Sequence, residues 1–389
     1  MTTTLPVGAT ALTFDSAGIR CEAWHFAATA DDLAGPAGRP VAVLAHGFGG
    51  TKDSGLAPFA TALAGAGIDA LAIDFRGFGG SAGEPRQRMR MGEQIADYRA
   101  AISAAAGLPG VDPERIVLWG VSMSGGHVLA LAAEYGAASA QGVNSARAAS
   151  GAQAPNGAQA PNGAQAPNGA QAPNGAQAPN GAQAPNGAQA PNGAQASSDA
   201  LGLVPDGVGA SVPRIGGVEP LVAAVVSMTP LVDGRAAVRH ALRHGGPLAS
   251  LRGAAGGVRA GIARLRGKPG LIPLVGAPGS GAALSLDGYE RSYRALSGPT
   301  WQNGIDPAVL LTLPGYRPAR RAADITVPVL VQIADFDRAA PPHAAAKAAF
   351  AARAEVRHYP CDHFDVWPGG EFHTATVEHQ LHFLRRHLG

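Results

Sequence analysis

The chain has very little cysteine: Cys21 and Cys361 are its two cysteines in 389 residues. So small a number excludes a disulfide framework and predicts a protein kept in a reducing compartment. Long apolar stretches are also missing, since no run reaches the roughly 18 residues that a membrane span needs. The first residues, 1–6, carry neither the basic nor the apolar segment of a secretion signal. We therefore expect a cytoplasmic protein without a membrane span.

Charged residues are sparse, at 15% of the chain, and they are unevenly placed. Residues 231–321 carry 13 Lys and Arg against 4 Asp and Glu, a balance of +9, which leaves 17 against 24, or −7, elsewhere. Two interpretations stay open: a basic subdomain that rests on an acidic body, or a basic entrance that attracts anionic substrates. The arginines are scattered and lack interleaved aromatic residues, which argues against nucleic-acid binding.

Signatures of cofactor and metal sites are also missing. No G-x-G-x-x-G with an acidic partner and no P-loop occurs, so no nucleotide cofactor is expected. The histidines near the end of the chain lack an H-E-x-x-H pattern or a nearby pair of cysteines. We therefore predict a solvated helix face and no metal site for these histidines, which are His373, His379, His382 and His387.

Apolar runs alternate with amphipathic stretches along most of the chain, which predicts strands alternating with helices. A hairpin is expected over 9–27, with its turn at 15–18. Further strands are predicted at 40–45, 69–74, 116–119, 220–229, 327–333 and 354–359. Helices are predicted at 56–66, 91–106, 126–135, 343–352 and 374–387. This order indicates an α/β protein whose mostly parallel sheet is built from right-handed crossovers.

A low-complexity segment interrupts the pattern. Between 151 and 196 the unit Gly-Ala-Gln-Ala-Pro-Asn occurs seven times in full and then breaks off. The unit has no bulky apolar side chain, and its proline forbids a continuous helix or strand ladder, so it cannot offset its ordering entropy. We predict a disordered insertion over 137–215, between a first core part at 1–136 and a core strand within 216–230.

A mainly helical cap is predicted over 231–322, before the core resumes over 323–389. Its helices are expected at 234–244, 250–265, 287–295 and 307–313. The apolar stretch Leu271–Val275 can line a pocket or serve internal packing, and the sequence does not decide between these two roles.

The turn Gly120-Val-Ser122-Met-Ser124-Gly-Gly lies between a predicted strand and a predicted helix. So sharp a reversal strains its middle residue and needs small residues two positions to either side. The strand stops at Trp119, so Ser122 is expected at the crest and Ser124 as the small packing residue, although Ser124 fits a shifted version of the pattern. The turn would point the N–H of Met123 toward the exposed hydroxyl, where the helix N-terminus favours an oxyanion.

A serine hydroxyl needs a base to remove its proton, and a carboxylate must orient that base. His363 follows a predicted strand and precedes the closing helix, which makes it the expected base. Asp335 and Asp337 compete for the role of the acid, since both follow the preceding strand. Asp362 and Asp365 lie too near the histidine in sequence to reach its ring easily.

These motifs together resemble the bacterial α/β-hydrolase superfamily. The resemblance rests on His46-Gly-Phe-Gly, Asp74-Phe-Arg-Gly-Phe-Gly-Gly-Ser, Gly-Val-Ser122-Met-Ser-Gly-Gly-His and Cys-Asp-His363-Phe. It covers 1–135 and 218–389 and is strongest toward the peptidase-like and dienelactone-hydrolase-like serine hydrolases. The resemblance implies an α/β-hydrolase fold, a mostly parallel sheet flanked by helices, here with an inserted cap and a repeat insertion.

The resemblance also implies roles for particular residues. The spacing A-x-x-Asp337-x-x-x-Pro is that of the acid loop of this fold, which favours Asp337 over Asp335. A Ser122, Asp337 and His363 triad is implied, with the N–H of Phe48 as the second oxyanion donor beside that of Met123. Asp74 and Arg76 are expected to brace loops.

The function implied is that of a serine hydrolase acting on a small-molecule acyl substrate, with a carboxylic ester expected first. A peptidase or an acyl or polyketide-chain (thio)ester hydrolase is the enzymatic alternative, and an inactive binding protein of the same fold is a further one. The oligomeric state is not predicted.

Overall fold

The computed structural model of the chain describes residues 5–149, 220–244 and 270–389. Its strands are β1 Ala9–Ser16, β2 Ile19–Phe26, β3 Arg39–Ala45, β4 Asp69–Ile73, β5 Val111–Val121, β6 Val222–Met228, β7 Val329–Ala334 and β8 Glu355–Tyr359. Its helices are α1 Ala57–Gly65, α2 Met91–Ala106, α3 Met123–Ala149, α4 over 234–244, α5 Tyr289–Leu296, α6 Ala308–Thr312, α7 Pro342–Ala351 and α8 His373–Leu388. In the described residues, no helix is long and apolar enough to cross a membrane.

The strands form one eight-stranded sheet in the order β1-β2-β4-β3-β5-β6-β7-β8. The β1–β2 hairpin pairs antiparallel, and β2 pairs antiparallel with β4. From β4 to β8 every neighbouring pair is parallel. The carboxyl ends of these strands therefore meet at one edge of the sheet, where sites in parallel sheets form. We call it the carboxyl edge.

Alternate side chains of the strands enter two cores, one on each face of the sheet. In β3, for example, Val43 joins the core under α2, α3 and α7, whereas Leu44 joins the core under α1 and α8. Both side chains are fully buried. The expected layers of an α/β protein, with helices on both faces of the sheet, are thus present.

Two element boundaries differ most from the sequence prediction. Strand β5 begins at Val111 rather than Ile116, because Val111 pairs with Arg39 ahead of a register shift in the ladder. Helix α3 continues to Ala149, so residue 137, where the insertion was predicted to start, falls inside this helix. The alanines after Gly136 have high helix propensity, and the first proline comes only at 155. The rest of the predicted insertion, 150–215, and the predicted helix at 250–265 lie outside the described residues.

The described part of the cap packs onto the carboxyl edge. It contains α4, α5 and α6, with 3₁₀ turns at Leu313–Gly315 and Pro318–Asp324. Within Leu271–Val275, the side chain of Leu274 is fully buried, and its methyl groups lie 2.7–2.8 Å from where a Cβ at Gly49 would be. This apolar stretch therefore serves internal packing and fixes the cap to the loop after β3.

Candidate active site

The turn between β5 and α3 has the strained geometry expected at Ser122. Strand β5 ends at Val121 and α3 begins at Met123, and the single residue between them has φ = 56°. A positive φ costs a non-glycine residue about 1–2 kcal/mol, so the surroundings must hold it. The Ser122 N–H donates to the Met228 carbonyl at 2.9 Å, and the Ser122 carbonyl accepts from the Leu231 N–H at 2.8 Å.

Glycine is required at position 120 for this turn to close. A Cβ at Gly120 would lie 2.1 Å from the carbonyl oxygen of Ser124, which is backbone and cannot move aside without displacing α3. Strand β5 runs on through Gly120 to Val121, two residues beyond the predicted end at Trp119, and the turn crests at Ser122. This is the register that the sequence favours.

The two serines of the turn have different surroundings. Ser124 is completely buried, and its hydroxyl donates to the His46 carbonyl at 2.5 Å. That bond joins the turn around Ser122, which we call the elbow, to the residue after β3. The Ser122 side chain borders the loop after β3, since a Cβ at Gly47 would lie 3.3 Å from the Ser122 Oγ. Ser124 thus has a packing position, and Ser122 has the strained crest.

A buried acid–base pair lies on the loops after β7 and β8. Asp337 Oδ2 is 2.6 Å from His363 Nδ1, and both residues are buried. The other oxygen, Asp337 Oδ1, accepts the N–H groups of Ala339 and Ala340 at 2.8 and 2.7 Å. The carboxylate is thereby fixed with one oxygen toward the backbone and the other toward the imidazole.

The environment of His363 favours its protonated form despite burial. Burial alone would lower the pKa of His363, but the Asp337 carboxylate and the more distant Asp362 outweigh it. The pKa of His363 is therefore raised above its usual value, and the imidazolium that a proton transfer would create is stabilised in place.

Asp335 and Asp362, the rival carboxylates, have other partners. Asp335 contacts the half-exposed His358, with Oδ1 2.7 Å from its Nδ1. Asp362 accepts from Arg338 Nε at 2.6 Å and from the Tyr289 hydroxyl at 2.8 Å. Neither bonds the His363 ring in the described residues, and Asp362 instead ties the loops after β7 and β8 to helix α5.

The loop His46–Gly50 lies against the elbow. A Cβ at Gly47 would approach the Ser122 Cβ to 2.7 Å, so only glycine permits this contact. In the part of the chain that the structure describes, neither the Phe48 N–H nor the Met123 N–H donates to a protein acceptor. Free backbone donors beside a strained serine can bind an oxygen that becomes negatively charged.

Buried ion pairs hold the loops around the site. Asp74 is fully buried and accepts from the Lys52 backbone N–H at 2.6 Å and from Lys52 Nζ at 2.5 Å. Arg76 Nε donates to Asp97 Oδ1 at 2.8 Å. These contacts are those of the bracing residues expected at Asp74 and Arg76. The sequence gives no local signal for Lys52, the buried partner of Asp74.

Contacts through the cap join the base side of the site to the serine side. The Tyr293 ring lies 5.8 Å from that of Phe364, the neighbour of His363. The Tyr293 hydroxyl donates to the Phe48 carbonyl at 2.7 Å. A second cap tyrosine, Tyr316, donates to the Met123 carbonyl at 3.0 Å. The sequence gives no local signal for these tyrosines, because their contacts span 245 and 193 residues.

The other histidines belong to structural surroundings. His127 is fully buried, and burial lowers its pKa to about 3, so its ring is neutral. Of the four histidines predicted to form a solvated helix face, only His382 and His387 are exposed, whereas the His373 ring packs 4.8 Å from that of Phe59 and His379 contacts the Tyr359 hydroxyl at 2.9 Å. Among the described residues, no group of three or more His, Cys, Asp or Glu is arranged to hold a metal ion.

Comparison with known proteins identifies the fold that carries this geometry. The family model described as "Serine aminopeptidase, S33" matches residues 36–167, which include the elbow and the loop after β3. The structure of the α/β hydrolase GrgF from Penicillium sp. sh18 superposes with a TM-score of 0.61 at 19% identity and covers 99% of both chains. The chain has the α/β-hydrolase fold.

Two curated relatives differ in how much they share with this chain. The quorum-quenching protein AidA of Acinetobacter baumannii is 26% identical over 96% of this chain and 93% of its own length. The thiohydrolase aneE of Aspergillus aculeatus is 41% identical, but over 25% of this chain and 31% of its own length. The first likeness is weak and spans nearly the whole chain, whereas the second is stronger and local.

Proposed function

We propose that this α/β hydrolase is a serine hydrolase that cleaves a carboxylic ester through an acyl-enzyme. The observation that carries the proposal is the strained Ser122 on the same sheet edge as the buried Asp337–His363 pair. Strain at a hydroxyl-bearing turn is uncommon unless function requires it. The remaining features of the edge have roles in the same chemistry.

In acylation, Ser122 Oγ attacks the ester carbonyl carbon as its proton passes to His363 Nε2. The carbonyl electron pair moves to the oxygen, which the N–H groups of Phe48 and Met123 stabilise. When the C–O bond to the alcohol breaks, the leaving oxygen takes the proton from His363. Water then repeats the sequence on the acyl-enzyme and releases the acid and free Ser122. Asp337 holds the His363 tautomer that leaves Nε2 free to accept.

A thioester is the second candidate substrate, and the local likeness to a thiohydrolase favours it. The same attack on a thioester carbonyl would release a thiol in place of an alcohol. An amide is a third candidate, because the matching family model is described as a serine aminopeptidase. An amine is a poorer leaving group and needs the proton of His363 earlier in the reaction. The kcat/KM values for an ester, a thioester and an amide of the same acid should therefore differ.

The experiment is a substrate panel with matched acyl chains. Chromogenic esters of two to twelve carbons are assayed beside thioesters of the same acids, acyl lactones and aminoacyl anilides. Lactones are included because a lactone is an ester closed into a ring and offers the same carbonyl carbon to Ser122. The proposal expects the highest kcat/KM with an ester and none with Ser122→Ala. Preference for the thioester or the anilide would replace the ester assignment, and turnover by Ser122→Ala would overturn the mechanism.

A further inference from the structure

The two proposed oxyanion donors share a feature that the proposed mechanism does not use. Each donor residue has its own carbonyl oxygen hydrogen-bonded by a buried cap tyrosine: Phe48 by Tyr293, and Met123 by Tyr316. We propose that Tyr293 and Tyr316 are positioning residues of the oxyanion hole, so that the cap sets the geometry of the hole. This inference rests on the proposed function, since it needs the Phe48 and Met123 N–H groups to bind the oxyanion.

Tyr293 lies on α5 and is well placed to fix the loop after β3. Its side chain is buried beside Trp301, with ring centroids 5.5 Å apart. Its hydroxyl is 2.7 Å from the Phe48 carbonyl oxygen, and burial raises its pKa, so it stays a donor throughout the working pH range. The loop needs such a fixed point, because Phe48 lies between Gly47 and Gly49 and Gly49 has φ = 67°. Glycines leave a loop with more conformations to restrict.

Tyr316 is fixed by a second chain of hydrogen bonds. Its hydroxyl is 3.0 Å from the Met123 carbonyl and 2.8 Å from His127 Nδ1. The hydroxyl has one hydrogen, and a carbonyl can only accept, so both bonds form when Nδ1–H donates to the tyrosine oxygen. The neutral ring then has a lone pair on Nε2, which lies 3.0 Å from Gln94 Oε1. Rotating the Gln94 amide by 180° brings its Nε2, which has no partner among the described residues in its present orientation, to this lone pair as a donor.

A hydrogen bond on the carbonyl orients the N–H of the same residue, because the two groups are joined through one Cα. Fixing the carbonyl restricts the ψ angle of that residue, so the backbone of Phe48 and that of Met123 have fewer orientations open to them. An oxyanion hole gains its effect from donors that need no rearrangement as charge develops. Both tyrosines come from the cap, whereas both donors belong to the core. The cap therefore does more than cover the site, because its tyrosines hold the two oxyanion donors in place.

The test compares Tyr293→Phe and Tyr316→Phe with the control Tyr98→Phe. Each variant keeps the ring and loses one buried hydroxyl. The Tyr98 hydroxyl also bonds backbone, since it donates to the Val43 carbonyl at 2.5 Å and accepts from the Trp119 N–H at 3.1 Å, and it bonds neither donor residue. The readouts are kcat and KM with the best ester and Ki for a trifluoromethyl ketone. Ser122 Oγ adds to the carbonyl carbon of this ketone while the serine proton passes to His363. The ketone oxygen then becomes the oxyanion. Fluorophosphonate titration counts the active sites, so unfolded protein does not enter kcat.

Complete loss of an oxyanion donor costs about 10²–10³ in kcat, and a misoriented donor should cost about tenfold. Tyr293→Phe and Tyr316→Phe should therefore each lower kcat about tenfold, raise Ki of the ketone by the same factor and leave KM within about twofold. Tyr98→Phe should change neither kcat nor the Ki of the ketone. A raised KM with unchanged kcat would overturn the inference, as would equal losses in all three variants. If Ser122→Ala still turns over substrate, the proposed function fails; if Ser122 is essential and the tyrosine variants behave normally, only this inference fails.

Discussion

Replacing Asp337 with asparagine should stop turnover while preserving the fold. The structure gives the reason atom by atom. Oδ1 accepts two backbone N–H groups, from Ala339 and Ala340, and an amide nitrogen cannot accept them. The asparagine oxygen must therefore keep the Oδ1 position, which turns its NH₂ group toward His363 Nδ1, now 2.6 Å from Oδ2.

With an NH₂ group facing it, His363 Nδ1 must carry the lone pair and Nε2 the proton. The base is then in the wrong tautomer to accept the proton of Ser122. In a serine protease the same exchange lowers kcat about 10⁴-fold, and we expect a loss of that order here. The side chains have the same shape and the two backbone bonds survive, so the free energy of unfolding should fall by no more than about 2 kcal/mol.

The assay is kcat with a chromogenic ester, and urea unfolding checks the fold. Asp335→Asn is the matched control, because Asp335 lies on the same loop as Asp337 and contacts the half-exposed His358 of β8. It should keep kcat within about threefold. If Asp335→Asn is inactive and Asp337→Asn is active, the acid is misassigned by two residues. If both variants are active, neither Asp335 nor Asp337 orients His363.

Three further predictions concern pH, the elbow and the repeat. Because the pKa of His363 is raised, the acidic limb of kcat/KM should lie above the usual imidazole value of about 6.5. The stability that the Asp337–His363 pair adds is fully present below about pH 6.5 and is lost as pH rises through the raised pKa. The free energies of unfolding of wild type and Asp337→Asn should therefore converge as pH rises through the raised pKa, and divergence would contradict this. Gly120→Ala should destabilise by about 3 kcal/mol or more, whereas Gly92→Ala, with nothing within 4 Å of the new Cβ, should be neutral or stabilising in the same urea titration. Deleting 151–196 should leave kcat/KM within about twofold and stability within about 2 kcal/mol; an inactive but folded deletion would show that the repeat reaches the site.

Much of the fold could be predicted because its signals are local. The apolar runs of β3, β4 and β7 and the spacing of apolar residues in α2 each lie within a few residues of sequence, and α2 was predicted at its observed bounds. The glycines and serines around Ser122 likewise specify a tight turn through their own size. Helix α3 runs past residue 137, the predicted start of the insertion, because the alanines after Gly136 continue the helix and nothing local stops them.

The supporting groups of the site could not be predicted, because they come from distant parts of the chain. Lys52 meets Asp74 across a gap of 22 residues, and the cap tyrosines meet their carbonyls across 245 and 193. A buried lysine or tyrosine has the same local sequence as an exposed one. Which backbone carbonyl it meets depends on how the cap packs on the sheet.

The central claim is that Ser122 is the nucleophile, and one labelling measurement tests it most directly. The purified protein is treated with a fluorophosphonate, digested and analysed by peptide mass spectrometry to locate the phosphonate. The same treatment of Ser122→Ala and Ser124→Ala provides the comparison. We predict a single phosphonate on Ser122, none in Ser122→Ala and normal labelling in Ser124→Ala. A phosphonate on Ser124, or undiminished labelling of Ser122→Ala, would contradict the account.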